Sequence, residues 1–320
     1  MKCIHNCLIN HKDIHNLSGN KKIIAQLKSK FIAYHNFNYC RVKMQKVVIV
    51  TGSTSGIGRE TAIRFARLNY HIVVNGRRAE LVNEVVNECQ SASNVKSIGV
   101  IADVTKAEDA KRLIDNAIEA FGRIDVLVNN AGVVALTTIN DENIIDVYDK
   151  IMNTNLRAVI QLCHLSVPHL EKTKGCIVNV SSVAGLNPSD RFAMYNVSKA
   201  ALDMFTKCLA LELGPKGIRV NSINPAYIKT DFGVTNLGAS REMMAAFEEI
   251  IRNNYPLRRV GEAEDVAKGI LFLSSEDASF TTGDCLVIDG GARYANIPHK
   301  GNQHFVLSLN ASELLSYNVL

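Results

Sequence analysis

Tyr195 and Lys199 lie four residues apart in the run Tyr-Asn-Val-Ser-Lys. On a helix this spacing places both side chains on one face, a turn apart. A tyrosine hydroxyl ordinarily titrates near pH ~10, which is too high for acid–base work at neutral pH. A nearby cation favours the phenolate, so we expect Lys199 to lower the pKa of Tyr195. The pair is suited to exchanging a proton with a substrate oxygen, although the same spacing also occurs on helices that do no chemistry.

A glycine-rich turn, Thr-Gly-Ser-Thr-Ser-Gly-Ile-Gly at 51–58, follows the apolar run 47–50 and precedes a segment of helical spacing. This order predicts a strand, a tight turn and a helix. Glycine lets the backbone approach a pyrophosphate, and a helix N-terminus offers free N–H groups and a positive dipole end. The spacing G-x-x-x-G-x-G differs from the common G-x-G-x-x-G fingerprint but serves the same physics. The candidate cofactor-binding residues of this turn are Gly52, Ser53, Ser55, Gly56, Ile57 and Gly58.

Four further runs accompany these two motifs: Asn-Asn-Ala-Gly at 129–132, Asn-Thr-Asn-Leu at 153–156, Ile-Val-Asn-Val-Ser-Ser at 177–182 and Asp-Gly-Gly at 289–291. With them, the chain resembles the short-chain dehydrogenase/reductase family, in its compact soluble branch, over residues 44–295. Within the family the general likeness is to 3-oxoacyl-carrier-protein reductase-like members. The resemblance implies an α/β fold with a single-domain, Rossmann-type, doubly wound parallel sheet of about seven strands flanked by helices.

The hydrophobic pattern predicts the same architecture. Near-continuously apolar strands that alternate with helical segments indicate a parallel sheet covered on both faces. The strand candidates are 47–50, 72–75, 97–101, 126–128, 176–180, 219–223 and 285–288. The helix candidates are 56–68, 79–89, 107–120, 145–170, 192–213 and 264–274. We also interpret Thr105 and Glu108 as a capping box that opens the third of these helices.

The resemblance assigns roles to four candidate catalytic residues: Asn155, Ser182, Tyr195 and Lys199. Tyr195 would donate a proton to the carbonyl oxygen, and Ser182 would hydrogen-bond the same oxygen. Lys199 would hold the nicotinamide ribose and tune Tyr195, while Asn155 would hold a water at a break in a long helix. The expected reaction is hydride transfer between a secondary alcohol and a ketone, with NAD(P)(H) as the cofactor.

The preferred dinucleotide is predicted from the end of the second strand, where NAD-binding sites usually carry an acidic residue. Here the chain reads Val-Asn-Gly-Arg-Arg, so the guanidinium groups of Arg77 and Arg78 are available for a 2′-phosphate. We therefore favour NADP(H) as the cofactor, with NAD(H) as the alternative. The two arginines could also be solvated side chains with no role in cofactor binding. The resemblance adds further cofactor candidates, among them Tyr195 and Lys199 and also Asp103, Val104, Asn130, Ala131, Gly132, Pro225, Ile228 and Thr230. Ala226 stands where the family commonly has glycine, so we expect a re-routed loop there.

Residues 231–255 resemble the variable lid over the substrate and carry apolar side chains at helical spacing, which favours an apolar carbonyl or alcohol substrate. By resemblance, the long helices at 145–170 and 192–213 would pair with a second copy in a homodimer or homotetramer. Two other functions remain open. One is a catalytically silent dinucleotide-binding or scaffold protein of the same fold; the other is an enoyl reductase, which usually spaces its tyrosine and lysine more widely.

Charge and cysteine content exclude other classes. Of the net charge of +5, residues 1–43 carry +7, so the rest of the chain has no basic footprint for nucleic acid. The eight cysteines are scattered without a C-x-x-C pair, which predicts no metal site and a reducing compartment. Four of them, Cys163, Cys176, Cys208 and Cys285, lie in apolar context and are expected in the core.

The two ends of the chain carry no enzyme motif. We expect residues 1–43 to be a basic, disordered N-terminal extension and residues 296–320 to be a C-terminal tail. No apolar stretch approaches the ~18 residues that span a bilayer, so no membrane association is expected. The extension lacks the arginine- and serine-rich composition of a mitochondrial presequence, which favours a cytoplasmic location with mitochondrial import as the alternative.

Overall fold

A seven-stranded parallel sheet organises the chain, as a computed structural model that describes residues 45–295 shows. The expectations for residues 1–43 and 296–320 fall outside the described residues. The strands in chain order are β1 (Val47–Val50), β2 (His71–Gly76), β3 (Ser97–Ile101), β4 (Val126–Asn129), β5 (Cys176–Val180), β6 (Arg219–Pro225), β7 (Ile228–Lys229), β8 (Gly261–Glu262) and β9 (Cys285–Ile288). The main sheet has the order β3-β2-β1-β4-β5-β6-β9, and β7 pairs with β8 separately. The predicted α/β fold, with its doubly wound parallel sheet, is confirmed.

Helices cover both faces of the sheet. They are α1 (Gly56–Arg67), α2 (Ala79–Ala92), α3 (Ala107–Phe121), α4 (Ile144–Met152), α5 (Ala158–Thr173), α6 (Ala193–Leu213), α7 (Phe232–Leu237), α8 (Arg241–Asn254) and α9 (Ala263–Ser274). Helices α1, α2 and α9 share one hydrophobic cluster with the sheet, and α3, α5 and α6 share the other. Alternate residues of β1 show this division, since Val47 and Ile49 belong to one cluster and Val48 and Val50 to the other. A strand buried on both faces must be apolar at every position, which explains the run Val-Val-Ile-Val.

The helix predicted from the pattern as continuous over 145–170 is interrupted at Asn153–Arg157, where the family resemblance implied a break. Helix α4 ends at Met152, a π-helical turn spans Asn153–Arg157, and α5 continues from Ala158. A π turn inserts an extra residue into the helical hydrogen-bond ladder and often marks a functional position. Asn155 lies in this turn and points into the interior, with 1% of its surface exposed.

Two local expectations are wrong. The capping box at Thr105 and Glu108 does not form, because the Thr105 hydroxyl donates to Asp103 Oδ1 at 2.7 Å and α3 starts after Lys106. A capping box forms instead at the start of α9, between Glu262 and Asp265. Cys208 is exposed on α6 and is not a core thiol.

Candidate active site

The predicted site residues converge on one edge of the sheet. Because the strands are parallel, the segments that follow β1 to β6 all leave the sheet at its carboxyl edge. Ligands of open α/β sheets bind in the crevice outside this edge, where the strand order reverses. In this chain the reversal falls between β1 and β4. The residues brought to this edge are Gly52, Ser53, Ser55, Gly56, Ile57, Gly58, Arg77, Arg78, Asp103, Val104, Asn130, Ala131, Gly132, Ser182, Pro225, Ile228 and Thr230.

The glycine turn packs so closely against its neighbours that a side chain at its glycine positions would clash with them. Gly52 and Gly56 have φ of +59° and +53°, a conformation that favours glycine. A Cβ added to Gly58 would lie 2.5 Å from Gly52 O, and one added to Gly56 would lie 3.0 Å from Thr230 Cγ2. The turn after β1 and the segment after β6 therefore face each other across the crevice.

The first turn of α1 offers donors for an anion. Its N-cap residue Ser55 makes no side-chain capping bond, and no acidic residue lies in the first turn. The first N–H groups of a helix lack intrahelical acceptors, and the dipole adds a positive end. A glycine cradle beside an uncapped helix N-terminus fits the pyrophosphate of a dinucleotide. The donor set and the available space thus both suit the cofactor that the sequence predicts.

The turn is fixed from beneath by a polar network that the sequence prediction missed. Thr51 Oγ1 accepts hydrogen bonds from the backbone N–H groups of Asn130 and Ala131 at 2.9 and 3.0 Å. Asn75 Oδ1 accepts from Gly52 N at 3.3 Å, and Ser53 Oγ donates to Asn75 O at 3.3 Å. Ser53 is fully buried, which suits a role in holding the turn. Thr51 and Asn75 are polar residues at the ends of apolar strands, and this position in the sequence could have indicated their role in fixing the turn.

Tyr195 and Lys199 lie in the first two turns of α6, on the same side as predicted. Lys199 Nζ is 5.7 Å from the centre of the Tyr195 ring and donates to Val180 O at 2.8 Å. Lys199 is 5% exposed, and burial lowers its pKa to about 8, with Asp203 acting in the opposite direction. The two residues therefore form a pair, with the ammonium directed at the end of β5.

The expected lowering of the Tyr195 pKa is wrong for the protein alone. Burial raises the pKa of Tyr195 to about 12, and a hydrogen bond with Ser182 opposes the rise. The physical reason is that Lys199 Nζ is engaged by Val180 O and lies over the ring rather than beside the hydroxyl. Tyr195 is thus a protonated phenol throughout the neutral range.

Ser182 and Asn155 complete the predicted set, each held by backbone contacts. Ser182 Oγ accepts from Ala184 N at 3.1 Å at the start of a 3₁₀ turn, Val183–Gly185. Asn155 Oδ1 accepts from Val133 N at 2.8 Å, and its Nδ2 donates to Val133 O and to Ser198 Oγ. These bonds use both N–H groups of Asn155 and leave one oxygen lone pair for another donor.

Gly132 links these residues. A Cβ added to Gly132 would lie 3.4 Å from Asn155 Oδ1 and 3.8 Å from Lys199 Nζ. The absence of a side chain therefore keeps open the space between the end of β4 and the helix that carries the lysine. The amide and the ammonium both border that space, which is where the nicotinamide ribose would be expected.

The remaining candidates are more exposed. Arg77 and Arg78 follow β2 with exposed side chains, and neither forms an ion pair within residues 45–295. The Asp103 carboxylate accepts from Thr105 N at 3.0 Å, and Val104 is buried beside it. Among the described residues no group of three or more His, Cys, Asp or Glu side chains is placed to hold a metal ion.

The segment after β6 is tied to the lid by a buried carboxylate. Glu248 of α8 accepts from Tyr227 Oη at 3.3 Å and pairs with Lys229 Nζ at 2.9 Å. The Tyr227 ring also packs edge-on against Phe247, with centroids 5.2 Å apart. Ala226 has no positive φ, so the substitution for glycine causes no backbone strain there. Glu248 was not singled out in the sequence, because its partners are about 20 residues away.

Comparison with known proteins places this geometry in a family. The family model described as "Enoyl-(Acyl carrier protein) reductase" matches residues 52–293. Dehydrogenase/reductase SDR family member 4 of Pongo abelii is 41% identical over 251 residues, which cover 77% of this chain and 87% of that protein. No helix between residues 45 and 295 has the length and apolar character to cross a bilayer.

Solved structures agree with these sequence matches. A short-chain dehydrogenase/reductase of unknown function from Caenorhabditis elegans, solved with cofactor, has 38% identity and a TM-score of 0.75, covering 79% of this chain and 97% of that one. A 7α-hydroxysteroid dehydrogenase complexed with NADH and 7-oxoglycochenodeoxycholic acid has 32% identity and a TM-score of 0.72, covering 78% and 94%. The chain therefore belongs to the short-chain dehydrogenase/reductase family, whose fold binds NAD(P)(H), and is an oxidoreductase that acts on CH–OH and C=O groups.

Proposed function

We propose that this chain is an NADP(H)-dependent reductase of ketones, with Tyr195 as the general acid. The observation that carries the proposal is the convergence of Tyr195, Ser182 and Lys199 at the sheet edge that also holds the glycine turn. Family membership alone supports an oxidoreductase. The arrangement of these side chains further supports Tyr195 as the proton donor, next to the edge of the sheet where the dinucleotide would bind.

The roles follow from the contacts. Bound NADPH supplies the hydride. Tyr195 donates its proton to the carbonyl oxygen, and Ser182, whose Oγ is fixed at the start of its 3₁₀ turn, donates a hydrogen bond to the same oxygen. Lys199 carries a positive charge below pH about 8, which stabilises the negative charge left on Tyr195. Asn155 holds the loop that follows β4 in place at Val133 and retains one acceptor site for a water.

The protonation state of Tyr195 determines the form in which it acts. Because burial raises the pKa of Tyr195 to about 12, the residue is a phenol at neutral pH. The phenol is the form that donates a proton to a carbonyl oxygen, and the phenolate is the form that accepts one from an alcohol. The net direction follows from the concentrations of substrate and dinucleotide, since a catalyst accelerates both directions.

The preference for NADP(H) rests on the end of β2. Position 76 is a buried glycine, Arg77 and Arg78 follow it with free guanidinium groups, and the first acidic residue is Glu80. A guanidinium binds a phosphate well, while nothing there accepts the ribose 2′-hydroxyl as a carboxylate would. The hydroxysteroid dehydrogenase that is similar in structure was solved with NADH, so NAD(H) is the alternative to be tested.

We infer that the substrate is apolar. The predicted lid 231–255 contains α7 and α8, and its Phe232 is 39% exposed on the crevice segment next to Thr230. The hydroxysteroid dehydrogenase that is similar in structure was solved with 7-oxoglycochenodeoxycholic acid, which supports a substrate with a large apolar skeleton. An enoyl reductase is the second candidate, since the matching family model carries that description. The four-residue spacing of Tyr195 and Lys199 favours the carbonyl reaction.

A homodimer or homotetramer is supported by apolar side chains on the two long helical segments. On α6, Val197, Met204 and Leu211 repeat every seven residues and are 50%, 58% and 81% exposed. Ile145 of α4 and Ile160 of α5 are also exposed. Exposed apolar side chains that repeat along a helix in this way favour an interface between copies. We keep the cytoplasmic location, with mitochondrial import as the alternative, as a prediction from the sequence.

A substrate panel tests the proposal. The full chain is assayed with NADPH and NADH in parallel against ketosteroids, diketones, quinones, retinoids, 3-oxoacyl thioesters and enoyl thioesters. The proposal predicts NADPH oxidation with at least one carbonyl substrate and none with the enoyl thioesters. Turnover of enoyl thioesters alone would support the second candidate, and cofactor binding without turnover of any substrate would support the silent function.

A further inference from the structure

Asp203 is a buried carboxylate one helical turn beyond Lys199 on α6. It is 3% exposed, yet no Lys, Arg or His of residues 45–295 forms an ion pair with it. Burying a charge is costly unless it is hydrogen-bonded or faces an opposite charge. The contacts of Asp203 connect it to two of the proposed catalytic residues, Ser182 and Lys199.

The first set of contacts leads to Ser182. Asn224 Nδ2, at the end of β6, donates to Asp203 Oδ2 at 2.8 Å and to Ser182 O at 3.0 Å. Ser222 Oγ lies 3.1 Å from Asp203 Oδ1, within donating distance. One carboxylate therefore fixes the side chain that holds the backbone of Ser182.

The same carboxylate packs against the turn that follows Ser182. A Cβ added to Gly185, the last residue of that 3₁₀ turn, would lie 2.6 Å from Asp203 Oδ2 and 2.8 Å from Lys199 C. The close approach of Gly185 therefore lets the turn rest directly on α6 at Asp203. Both ends of the segment 182–185 thus depend on this one residue.

The second contact is electrostatic. The negative charge of Asp203 raises the pKa of Lys199 and so opposes the effect of burial. Tyr195 faces Lys199, and Cys285 of β9 lies near Asp203; Cys285 is itself near Lys207 of α6 and Asp284, which precedes β9. None of these supplies a second negative charge within hydrogen-bond reach of Lys199 in the described part of the chain.

We propose that Asp203 is a positioning residue of the hydride-transfer site: it orients Ser182 through Asn224 and Gly185, and it places a buried carboxylate one helical turn from Lys199. The inference rests on the proposed function, because Ser182 and Lys199 have their roles from it. It predicts that removal of the charge affects the proton-transfer step more than substrate binding.

Nuclear magnetic resonance of lysine ε-carbons tests the electrostatic part without any turnover. Cofactor-free protein labelled with ¹³Cε-lysine is titrated, and the Lys199 signal is assigned with Lys199→Arg. Asp203→Asn should lower the pKa of Lys199, and Asp203→Glu, which keeps the charge, should restore it towards the wild-type value. Glu212→Gln, an exposed carboxylate on the same helix, is the matched control and should leave it unchanged. Equal Lys199 titration in the wild type and Asp203→Asn would overturn the inference.

Steady-state kinetics test the positioning part. Asp203→Asn should lower kcat ~10-fold with KM for the carbonyl substrate within ~2-fold, and the loss should grow as the pH rises, because more Lys199 is neutral. A loss that is equal at every pH indicates a merely structural effect and contradicts the proposal. If Asp203→Asn does not fold, Ser222→Ala is used instead, because it removes the hydroxyl beside Asp203 Oδ1 and leaves the carboxylate in place. A lower kcat with an unchanged pKa of Lys199 supports the link between Asp203 and Ser182. An unchanged kcat contradicts that link.

The two proposals fail separately. If Tyr195→Phe retains full turnover, the proposed function is wrong, while the titration of Lys199 still decides the charge effect of Asp203. If Tyr195→Phe is inactive but Asp203→Asn matches the wild type in both titration and kcat, the function stands and the role of Asp203 is wrong.

Discussion

The two sides of the crevice are built differently. On the nucleotide side, the turn 51–58 is held by hydrogen bonds to neighbouring strand ends and by positions where a Cβ would clash. On the substrate side, the segment after β6 and the lid are joined by side chains, with Glu248 between Tyr227 and Lys229. On the nucleotide side most substitutions would introduce a steric clash. On the substrate side single side chains can be replaced without a clash with the backbone.

This contrast separates the part of the fold that would bind a common cofactor from the part that would recognise a particular substrate. A cofactor common to many enzymes is bound by backbone N–H groups and glycine, which carry little information about the substrate. In the proposed function the substrate is bound beneath residues 231–255, whose position depends on a few polar contacts between residues distant in sequence. Mutations on the first side should abolish binding of the dinucleotide, and those on the second should change KM.

The largest effect is expected at Gly58. A Cβ there would meet Gly52 O and Asn130 Nδ2, both at 2.5 Å. We expect Gly58→Ala to raise the Kd for NADPH ~100-fold and to lower the free energy of unfolding by about 1–3 kcal/mol, as in overpacked interiors. Fluorescence titration and urea unfolding measure these. Gly214→Ala, where nothing lies within 4 Å of the added Cβ, is the control and should change neither.

The next effect concerns the choice of dinucleotide. Arg77→Ala removes one charge-assisted hydrogen bond to a 2′-phosphate, which contributes about 1.5–3 kcal/mol, or roughly ten- to hundredfold in affinity. The Kd for NADPH should rise by that factor, while the Kd for NADH stays constant. Arg78→Ala gives the comparison for the neighbouring guanidinium. An equal loss of affinity for both dinucleotides would contradict a phosphate contact.

A third effect is on the pH dependence of reduction. Burial lowers the pKa of Lys199 to about 8, so its charge is present below that pH and is lost as the pH rises through it. We expect kcat for reduction to be highest below pH 8 and to fall about tenfold per unit above it. Tyr195 stays protonated over this range, because its pKa is raised to about 12. In Lys199→Arg, whose guanidinium stays charged, the fall should disappear from this range; its persistence would point to another group.

The smallest effect is expected on the substrate side. Glu248→Gln weakens the contacts to Tyr227 and Lys229, so the lid helix α8 should be less firmly held and KM for the carbonyl should rise ~3-fold with kcat little changed. The adjacent Glu249→Gln is the matched control, since Glu249 is exposed and contacts residues of its own helix, such as Arg252. If the two variants behave alike, Glu248 does not hold the lid.

The sequence predicted the nucleotide side more completely than the substrate side, for the same physical reason. The strand ends and the glycine turn depend on local pattern, so their positions were found to within a few residues, whereas the break at Asn155 was implied only by the family resemblance. Asp203 and Glu248 depend on partners about 20 residues away, and a buried acid on a helix looks like a solvated one in the sequence.

Charge effects were the other part that local pattern did not predict. The four-residue spacing suggested that Lys199 lowers the pKa of Tyr195, but burial raises that pKa and the opposing effect comes from a hydrogen bond with Ser182. Desolvation depends on every element that covers a group, so it becomes visible only in the folded chain. The same is true of Cys208, which is followed by the apolar run 209–211 in the sequence although its own side chain is exposed.

The most direct test of the account is the kinetics of Tyr195→Phe. The substitution removes the proton donor and preserves the shape of the side chain. We expect kcat for carbonyl reduction to fall by at least ~10² while the Kd for NADPH is unchanged. Turnover within a few-fold of the wild type would show that the proton comes from elsewhere and would contradict the account.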